Sequence, residues 1–295
     1  MAIKPPKVNA KKPATMMPAP PPPPPAAKSA APRSSKTFKV ETWDGDKEGE
    51  KIMLYAHSGR GKTTLSAMAP NPVFIGVDDG GRKIKNALNG EALKHIPGIL
   101  TYSDYLAALG QTNLFDKHDT VVIDTLTKIQ ELALDYMLAT IPTDSGKPAT
   151  HIEQYGWGKG YRNMVDIMRL MFPPLEELVR RGKNIIMVCQ LQQINETNAG
   201  GNDFLMDAPD LFDRKNASVM RQFIAWTDHI FKLEYDQVHA KEKKASSRCD
   251  RIVRTQAEIH YFAKSRGDTF LDRPVVSFEH PADDSLWQFL FGEAS

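Results

Sequence analysis

The chain has 295 residues, a net charge of +2 and two cysteines. This length suits one large domain or two small ones, and two cysteines are too few for a disulfide framework or a zinc site. No apolar run is long enough to span a membrane, and no apolar region follows the N-terminal lysines, so neither a membrane protein nor a signal peptide is predicted. A reducing cytoplasmic setting is the simplest interpretation.

Residues 1–36 differ in composition from the rest of the chain. They hold 11 of the 21 prolines and seven Lys or Arg without any acid, so the remaining residues carry a net charge near −5. With almost nothing apolar to bury, this segment is predicted to be a disordered, partly polyproline-II tail ahead of a folded domain at 37–295. A solvated extension, a basic tether for DNA and a docking segment for a partner protein remain open as its role.

After the tail, apolar strand-like runs alternate with longer amphipathic stretches. Strands are predicted at 51–56, 72–77, 119–124, 184–190, 228–234 and 252–263, and helices at 62–69, 103–110, 125–140 and 159–182. This alternation favours βαβ units and an α/β fold with a mainly parallel central sheet flanked by helices. Pro173 and Pro174 are predicted to kink or split the last helix. The last two strands, with no helix between them, are expected to form an antiparallel edge.

The turn between the first predicted strand and the first predicted helix fits a phosphate-binding P-loop, with Ala56 in place of the usual first glycine. Lys62 would reach the β- and γ-phosphates, and the Thr63 hydroxyl would bind Mg²⁺. The flanking strand and helix argue against a chance match. The sequence therefore predicts an ATP and Mg²⁺ site contacted by Ala56, His57, Ser58, Gly59, Arg60, Gly61, Lys62, Thr63 and Thr64.

A second motif of the predicted site is the apolar run that ends at Asp124. Ligands of open parallel sheets lie at the carboxyl ends of strands, where the P-loop also lies. Asp124 is therefore predicted to help hold Mg²⁺ as a Walker B aspartate. The alternative is an aspartate that caps the next helix.

Two further strand ends carry polar side chains. Asp78 and Asp79 follow the second strand, and either could orient the water that attacks the γ-phosphate, or the pair could simply form a turn. Gln190 ends the fourth strand and could hydrogen-bond the γ-phosphate or the water and report nucleotide state to the next loop. Alternatively, the Gln190 side chain only hydrogen-bonds polar groups at the end of the strand.

Lys264 and Arg266 share one face at the end of the last predicted strand. They could stabilise charge on a transferring phosphoryl group, including one bound to a neighbouring subunit. An exposed basic strand end is the alternative.

Taken in order, these segments resemble the phage-encoded RecA-like P-loop ATPases, AAA-type nucleotide-binding proteins associated with single-strand annealing and recombination. The resemblance covers about residues 50–270 and is carried by the P-loop, Asp79-Gly80-Gly81, Asp124-Thr125, Tyr155-Gly156-Trp157-Gly158-Lys159, Gln190 and Lys264-Ser265-Arg266. The last segment is similar to the Lys-Asn-Arg-Phe-Gly motif of the bacterial RadA branch.

The resemblance implies a RecA-like fold, ATP hydrolysis, a homo-oligomer and binding of single-stranded DNA. It also implies a single-strand-binding or replication protein as partner and, for a phage protein, the cytoplasm of a bacterial host. A helicase-like motor or loader and a nucleotide-switched scaffold with little turnover are the alternative functions.

Two regions are candidates for DNA contact. The resemblance implies a DNA-contacting loop at about 193–217, after Gln190, but this segment is acidic, which makes it a poor phosphate binder, whereas 241–254 is strongly basic. A solvated hairpin loop is the alternative for 241–254. Tyr155, Trp157 and Tyr161, with Lys159, could stack on bases or could pack into the core.

Overall fold

The structure is a computed structural model that describes residue 40 and residues 47–76, 79–111, 113–198, 200–236 and 251–292. The predicted tail at 1–36 and most of the basic segment 241–254 lie outside the described residues. The elements below all belong to one unit, Asp44–Ser295. In the described ranges, no helix is long and apolar enough to cross a membrane.

The described strands are β1 (Lys51–Ala56), β2 (Pro72–Gly76), β3 (Thr120–Asp124), β4 (Asn184–Thr197), β5 (Asp203–Pro209), β6 (Asp213–Arg214), β7 (Ala217–Ser218), β8 (His229–Tyr235), β9 (Arg251–Arg254) and β10 (Val275–Phe278). The described helices are α1 (Lys62–Ser66), α2 (Tyr102–Gly110), α3 (Leu126–Thr140), α4 (Lys159–Arg169), α5 (Phe172–Arg180), α6 (Val219–Trp226) and α7 (Ser285–Phe291). Short 3₁₀ turns lie at Asp79–Lys83 and Ile152–Tyr155.

Most of these strands join one sheet in the order β10-β9-β8-β1-β4-β3-β2. The five strands from β8 to β2 run parallel, and β9 and β10 add an antiparallel edge. The second half of β4 pairs with β5 as an antiparallel hairpin. The expectation of an α/β fold with a mainly parallel central sheet flanked by helices is confirmed.

The central strands are apolar throughout because helices cover both faces of the sheet. Successive side chains of a strand point to opposite faces, and β1 follows this rule. Met53 and Tyr55 belong to one buried cluster, which includes side chains of α2 to α6. Ile52 and Leu54 belong to the other cluster, which includes residues of α1 and α7. This double cover holds the end of β1, and the turn that follows it, in a fixed place.

The predicted split of one helix is confirmed, and two other predicted elements differ in the structure. The predicted helix 159–182 is two helices, α4 and α5, and the prolines lie in the first turn of α5, where their missing N–H groups cost little. The acidic segment 193–217 is not a loop but contains β5 and the small β6–β7 hairpin. The predicted strand 252–263 ends at Arg254, and only isolated bridges at Tyr261 and Lys264 follow.

Candidate functional site

The turn between β1 and α1 adopts the geometry expected of a P-loop. Gly59 and Gly61 have φ angles of 75° and 98°, in the left-handed region that glycine tolerates best. Ala56 is fully buried as the last residue of β1, and it is not among the described residues with positive φ. Alanine therefore fits the position that usually holds the first glycine of the motif.

Lys62 folds back into this turn. Its Nζ donates to the carbonyl oxygens of Ala56 at 2.8 Å and His57 at 3.1 Å, and to Oε1 of Gln190 at 2.9 Å. The residue is only 6% exposed. Burial lowers the pKa of the Lys62 ammonium, and the negative charge of Asp124 opposes that shift.

Thr63 and Asp124 are brought together as the sequence predicts. Thr63 Oγ1 donates to Asp124 Oδ2 at 2.6 Å. The N-cap of α3 is Thr125, whose hydroxyl accepts from the Lys128 N–H, so Asp124 does not act as that cap. The peptide bond between Asp124 and Thr125 is cis. An alcohol and a carboxylate oxygen side by side form a donor set suited to Mg²⁺.

Close approach of β2 to β3 depends on Gly76. Gly76 lies opposite Asp124 in the parallel register, and a Cβ at Gly76 would lie 2.3 Å from the Asp124 carbonyl oxygen. Any side chain there would push the two strands apart where the carboxylate is presented.

Gln190 lies between the P-loop and Asp124 because β4 lies between β1 and β3. Its Cα is opposite Ala56, and its side chain accepts from Lys62. The Gln190 N–H donates to Thr127 Oγ1 at 3.0 Å, and that hydroxyl donates to the Asp210 carbonyl at 3.1 Å. Gln190 thus connects the P-loop lysine with the segment that follows β5. Sequence reasoning did not assign Thr127, although it lies three residues after Asp124.

The two candidate water-orienting acids are only partly described. Asp78 lies outside the described residues, as does the side chain of Asp79. The backbone of Asp79 begins the 3₁₀ turn, and a Cβ at Gly81 in that turn would lie 4.0 Å from Thr63 Cγ2. The turn therefore lies beside the candidate magnesium ligand.

Lys264 lies at the opposite end of the sheet. Its Nζ donates to the carbonyls of Ile224 at 2.7 Å and Thr227 at 2.5 Å, at the end of α6. The backbone of Lys264 pairs with Ile230, near the start of β8. Because β8 runs parallel to β1, this end is remote from the P-loop.

Arg266 lies at the same end and donates to Asp228 at 2.6 Å. The Asp228 N–H in turn donates to the carbonyl of Lys51, the first residue of β1. Lys264 and Arg266 therefore do not join the P-loop within one chain, because β9 runs antiparallel to β8 and leads the chain away from the P-loop. A role for them across a subunit interface remains a prediction.

The aromatic residues near α4 divide into two groups. Tyr155 is buried, and its hydroxyl donates to the carbonyls of Met137 and Ile141, so it packs into the core. Trp157 is 93% exposed at a φ of 46°, between two glycines of positive φ. Tyr161 stacks on Phe212 at 5.3 Å between ring centroids.

Two charged side chains near these rings have interaction partners. Lys159 pairs with Asp144, and Arg214 lies 4.1 Å over the ring of Tyr161. In the β4–β5 hairpin, Asp207 is paired with the buried Lys232 at 2.8 Å, which offsets part of the acidity of this segment.

The family of the chain follows from one of the comparisons with known proteins. No protein with a curated function matches the chain. Among solved structures, the chain is similar to a KaiC-like protein from the hyperthermophilic archaeon Pyrococcus horikoshii OT3, with 13% identity, a TM-score of 0.41, and coverage of 80% of this chain and 88% of that one. A family model described as an AAA domain matches residues 48–267. Because that match covers well over half of this chain, the chain belongs to the AAA domain family.

Proposed function

We propose that the chain binds ATP with Mg²⁺ at the P-loop and hydrolyses the ATP. The observation that carries the proposal is the pair of hydrogen bonds from Lys62 to Gln190 and from Thr63 to Asp124. Lys62 and Thr63 begin α1, Asp124 ends β3, and Gln190 lies in the neighbouring parallel strand β4. Ligands of parallel α/β sheets bind at such strand ends.

Each residue has a distinct task in this proposal. Lys62 exchanges its carbonyl acceptors for oxygens of the β- and γ-phosphates and offsets their charge. Thr63 and Asp124 would hold Mg²⁺ through their oxygens. When bound, the metal would neutralise charge that develops on the phosphates.

Hydrolysis then needs an oriented water. A carboxylate of the Asp78–Asp79 pair accepts a hydrogen bond from this water, whose oxygen attacks the γ-phosphorus in line with the bond to the β-γ bridging oxygen. That bond breaks, and the products are ADP and inorganic phosphate. Gln190 hydrogen-bonds the γ-phosphate or the water, and its contact with Thr127 relays the change to the segment after β5.

Phosphate release by the wild type, Lys62→Ala, Asp124→Asn and the control Lys117→Ala tests this proposal. Lys117 is an exposed lysine in the turn before β3. We expect the first two changes to lower turnover by about 100-fold or more and the control to leave it unchanged. ATP binding without turnover in the wild type would contradict hydrolysis and favour the nucleotide-switched scaffold.

We further propose that the protein acts on single-stranded DNA in recombination or annealing, as a phage-encoded homo-oligomer of the kind it resembles. The observation in favour is Trp157, which is almost fully exposed and lies four residues before Tyr161, whose ring stacks with Arg214. Aromatic rings of this kind form stacking platforms for unpaired bases, and each stacked base contributes about 1–3 kcal/mol.

Fluorescence anisotropy with a labelled oligonucleotide tests DNA binding. Trp157→Ala should weaken binding about tenfold, whereas Phe289→Ala, which removes an exposed aromatic ring of α7, should not. If DNA neither binds nor alters ATP turnover, the recombination role is wrong. Strand unwinding coupled to hydrolysis would instead favour the motor or loader.

A further inference from the structure

Arg251, the first residue of β9, lies against the P-loop. A Cβ built on Gly61 would lie 2.5 Å from Arg251 Nη1 and 3.0 Å from its Cζ. Such distances are shorter than van der Waals contact, so the guanidinium occupies the space that a side chain at position 61 would need. Gly61 therefore has two roles, because it adopts a φ of 98° and leaves room for this arginine.

The backbone of Arg251 is held on both sides. It lies opposite Tyr235 of β8 and Phe278 of β10 in the two antiparallel ladders. The next two residues, Ile252 and Val253, are buried. The side chain consequently extends toward the P-loop from a fixed strand rather than from a mobile surface.

The two arginines at the ends of β9 differ in their partners. Arg254 donates to Glu234 at 2.8 Å and also lies 3.8 Å from Glu258. Arg251 is partly buried, yet among the described residues it has no hydrogen-bond acceptor and no carboxylate partner. The neighbouring P-loop cation, Arg60, stacks on the ring of Tyr235 at 4.0 Å. A partly buried guanidinium without an anion is unfavourable, and this one lies where the proposed function places phosphates.

We propose that Arg251 is a nucleotide-binding residue supplied by the same chain. Its guanidinium binds an oxygen of the ATP or ADP phosphate chain and adds a second positive charge to that of Lys62. Guanidinium groups match phosphate geometry well, and their charge-assisted hydrogen bonds are strong. This inference rests on the proposed nucleotide binding and assigns a further ligand to the same site.

Titration of the full chain with fluorescent ATP and ADP analogues tests the inference. Arg251→Gln should raise the Kd of both nucleotides about tenfold, the size expected for one lost charge-assisted hydrogen bond. Arg251→Lys should restore part of the affinity because it keeps the charge. Arg273→Gln is the matched control, since it removes one exposed guanidinium near β10 and should leave the Kd unchanged.

The outcomes separate the inference from the proposed function. If the wild type and Arg273→Gln bind nucleotide and Arg251→Gln binds equally well or more tightly, Arg251 is not a ligand. If neither the wild type nor the control binds, the proposed function itself is wrong.

Modification of the wild type with an arginine-selective dicarbonyl, mapped by mass spectrometry, gives a readout that needs no variant. ATP should protect Arg251 and leave the modification of Arg273 unchanged. Equal modification of Arg251 with and without ATP would overturn the inference even if the variants failed to fold.

Discussion

Lys62 and Lys264 are the same residue type in similar local chemistry at opposite ends of one parallel sheet. Each ammonium donates to two backbone carbonyl oxygens. In each case burial is the main cause that lowers the lysine pKa. Residue type and burial alone therefore do not distinguish a candidate catalytic lysine from a structural one.

The acceptors distinguish the two lysines. Lys62 also donates to the side chain of Gln190 and lies at the strand ends where Thr63 and Asp124 meet. Its acceptors can be replaced by phosphate oxygens. Lys264 donates to carbonyls at the C-terminal end of α6, which have no partner within the helix and need a permanent donor. The end of the sheet on which each lysine lies thus decides its task.

Lys62→Met should produce the largest effect. We expect hydrolysis to fall about 100-fold and the ATP-induced rise in Tm to disappear, because the phosphates lose their main cation. The Tm without nucleotide should fall about as far as in Lys264→Met, since the carbonyls of Ala56 and His57 also lose their ammonium donor. Thermal unfolding with and without ATP, together with phosphate release, measures both quantities. If ATP still raised the Tm of this variant, Lys62 would not be a nucleotide-binding residue.

Lys264→Met should lower stability without lowering turnover. It removes the ammonium donor from the carbonyls of Ile224 and Thr227, although Ile224 keeps the Thr227 hydroxyl, so we expect a loss of about 2 kcal/mol in the free energy of unfolding. Turnover per folded molecule should not change, as measured by denaturant unfolding and phosphate release. Lys117→Met is the surface control. Loss of turnover with normal stability would instead show that Lys264 reaches the nucleotide of a neighbouring subunit.

The pH dependence of ATP affinity should reflect the protonation of the Lys62 side chain. Its pKa is lowered below the ordinary 10.5 in the free protein, and bound phosphate favours the charged form and raises it. Between these two pKa values the complex binds more protons than the free protein does. Affinity should therefore fall as pH rises, by up to about tenfold per pH unit, and Lys62 should contribute no pH dependence below that range.

Calorimetry in buffers of different ionisation enthalpy would measure the matching proton uptake. ATP affinity that rises with pH across this range would contradict the assignment. Lys62→Met should abolish the proton uptake, whereas Lys117→Met should not.

Arg266→Gln should have the smallest effect. Arg266 donates to Asp228 at 2.6 Å, but more than half of its side chain is exposed, so solvent screens the pair. We expect a loss of at most about 1 kcal/mol in the free energy of unfolding. A double-mutant cycle with Asp228→Asn isolates the coupling. A coupling energy well above this value would mean that this end of the sheet is stabilised more strongly by charge than proposed.

Local sequence patterns predicted the parallel strands and the P-loop well. Apolar runs such as β1 and β3 need no alternation because both faces are covered, and Gly59 and Gly61 supply the positive φ angles of the P-loop turn. The pairing of β4 with β5 was missed, because the resemblance to RecA-like proteins predicted a loop after Gln190. Lys232 of β8, far away in sequence, pairs with Asp207 and offsets part of the acidity of this segment.

The candidate site was also only partly predictable. Asp124 and Gln190 could be chosen because each ends an apolar strand. Thr127 and Arg251 could not be chosen from the sequence. Thr127 accepts from the backbone N–H of Gln190 in β4, and Arg251 approaches the P-loop from β9, which is far away in the chain.

The sequence by itself determined that a phosphate-binding turn follows β1 and that a carboxylate ends β3, because strand and turn formation depend on nearby residues. Only the tertiary structure decided that β4 lies between β1 and β3, so that Gln190 contacts Lys62. It also decided that Lys264 lies at the opposite end of the sheet and that Arg251 lies at the P-loop. Strand order and direction result from packing between residues far apart in the chain, so local sequence patterns do not predict them.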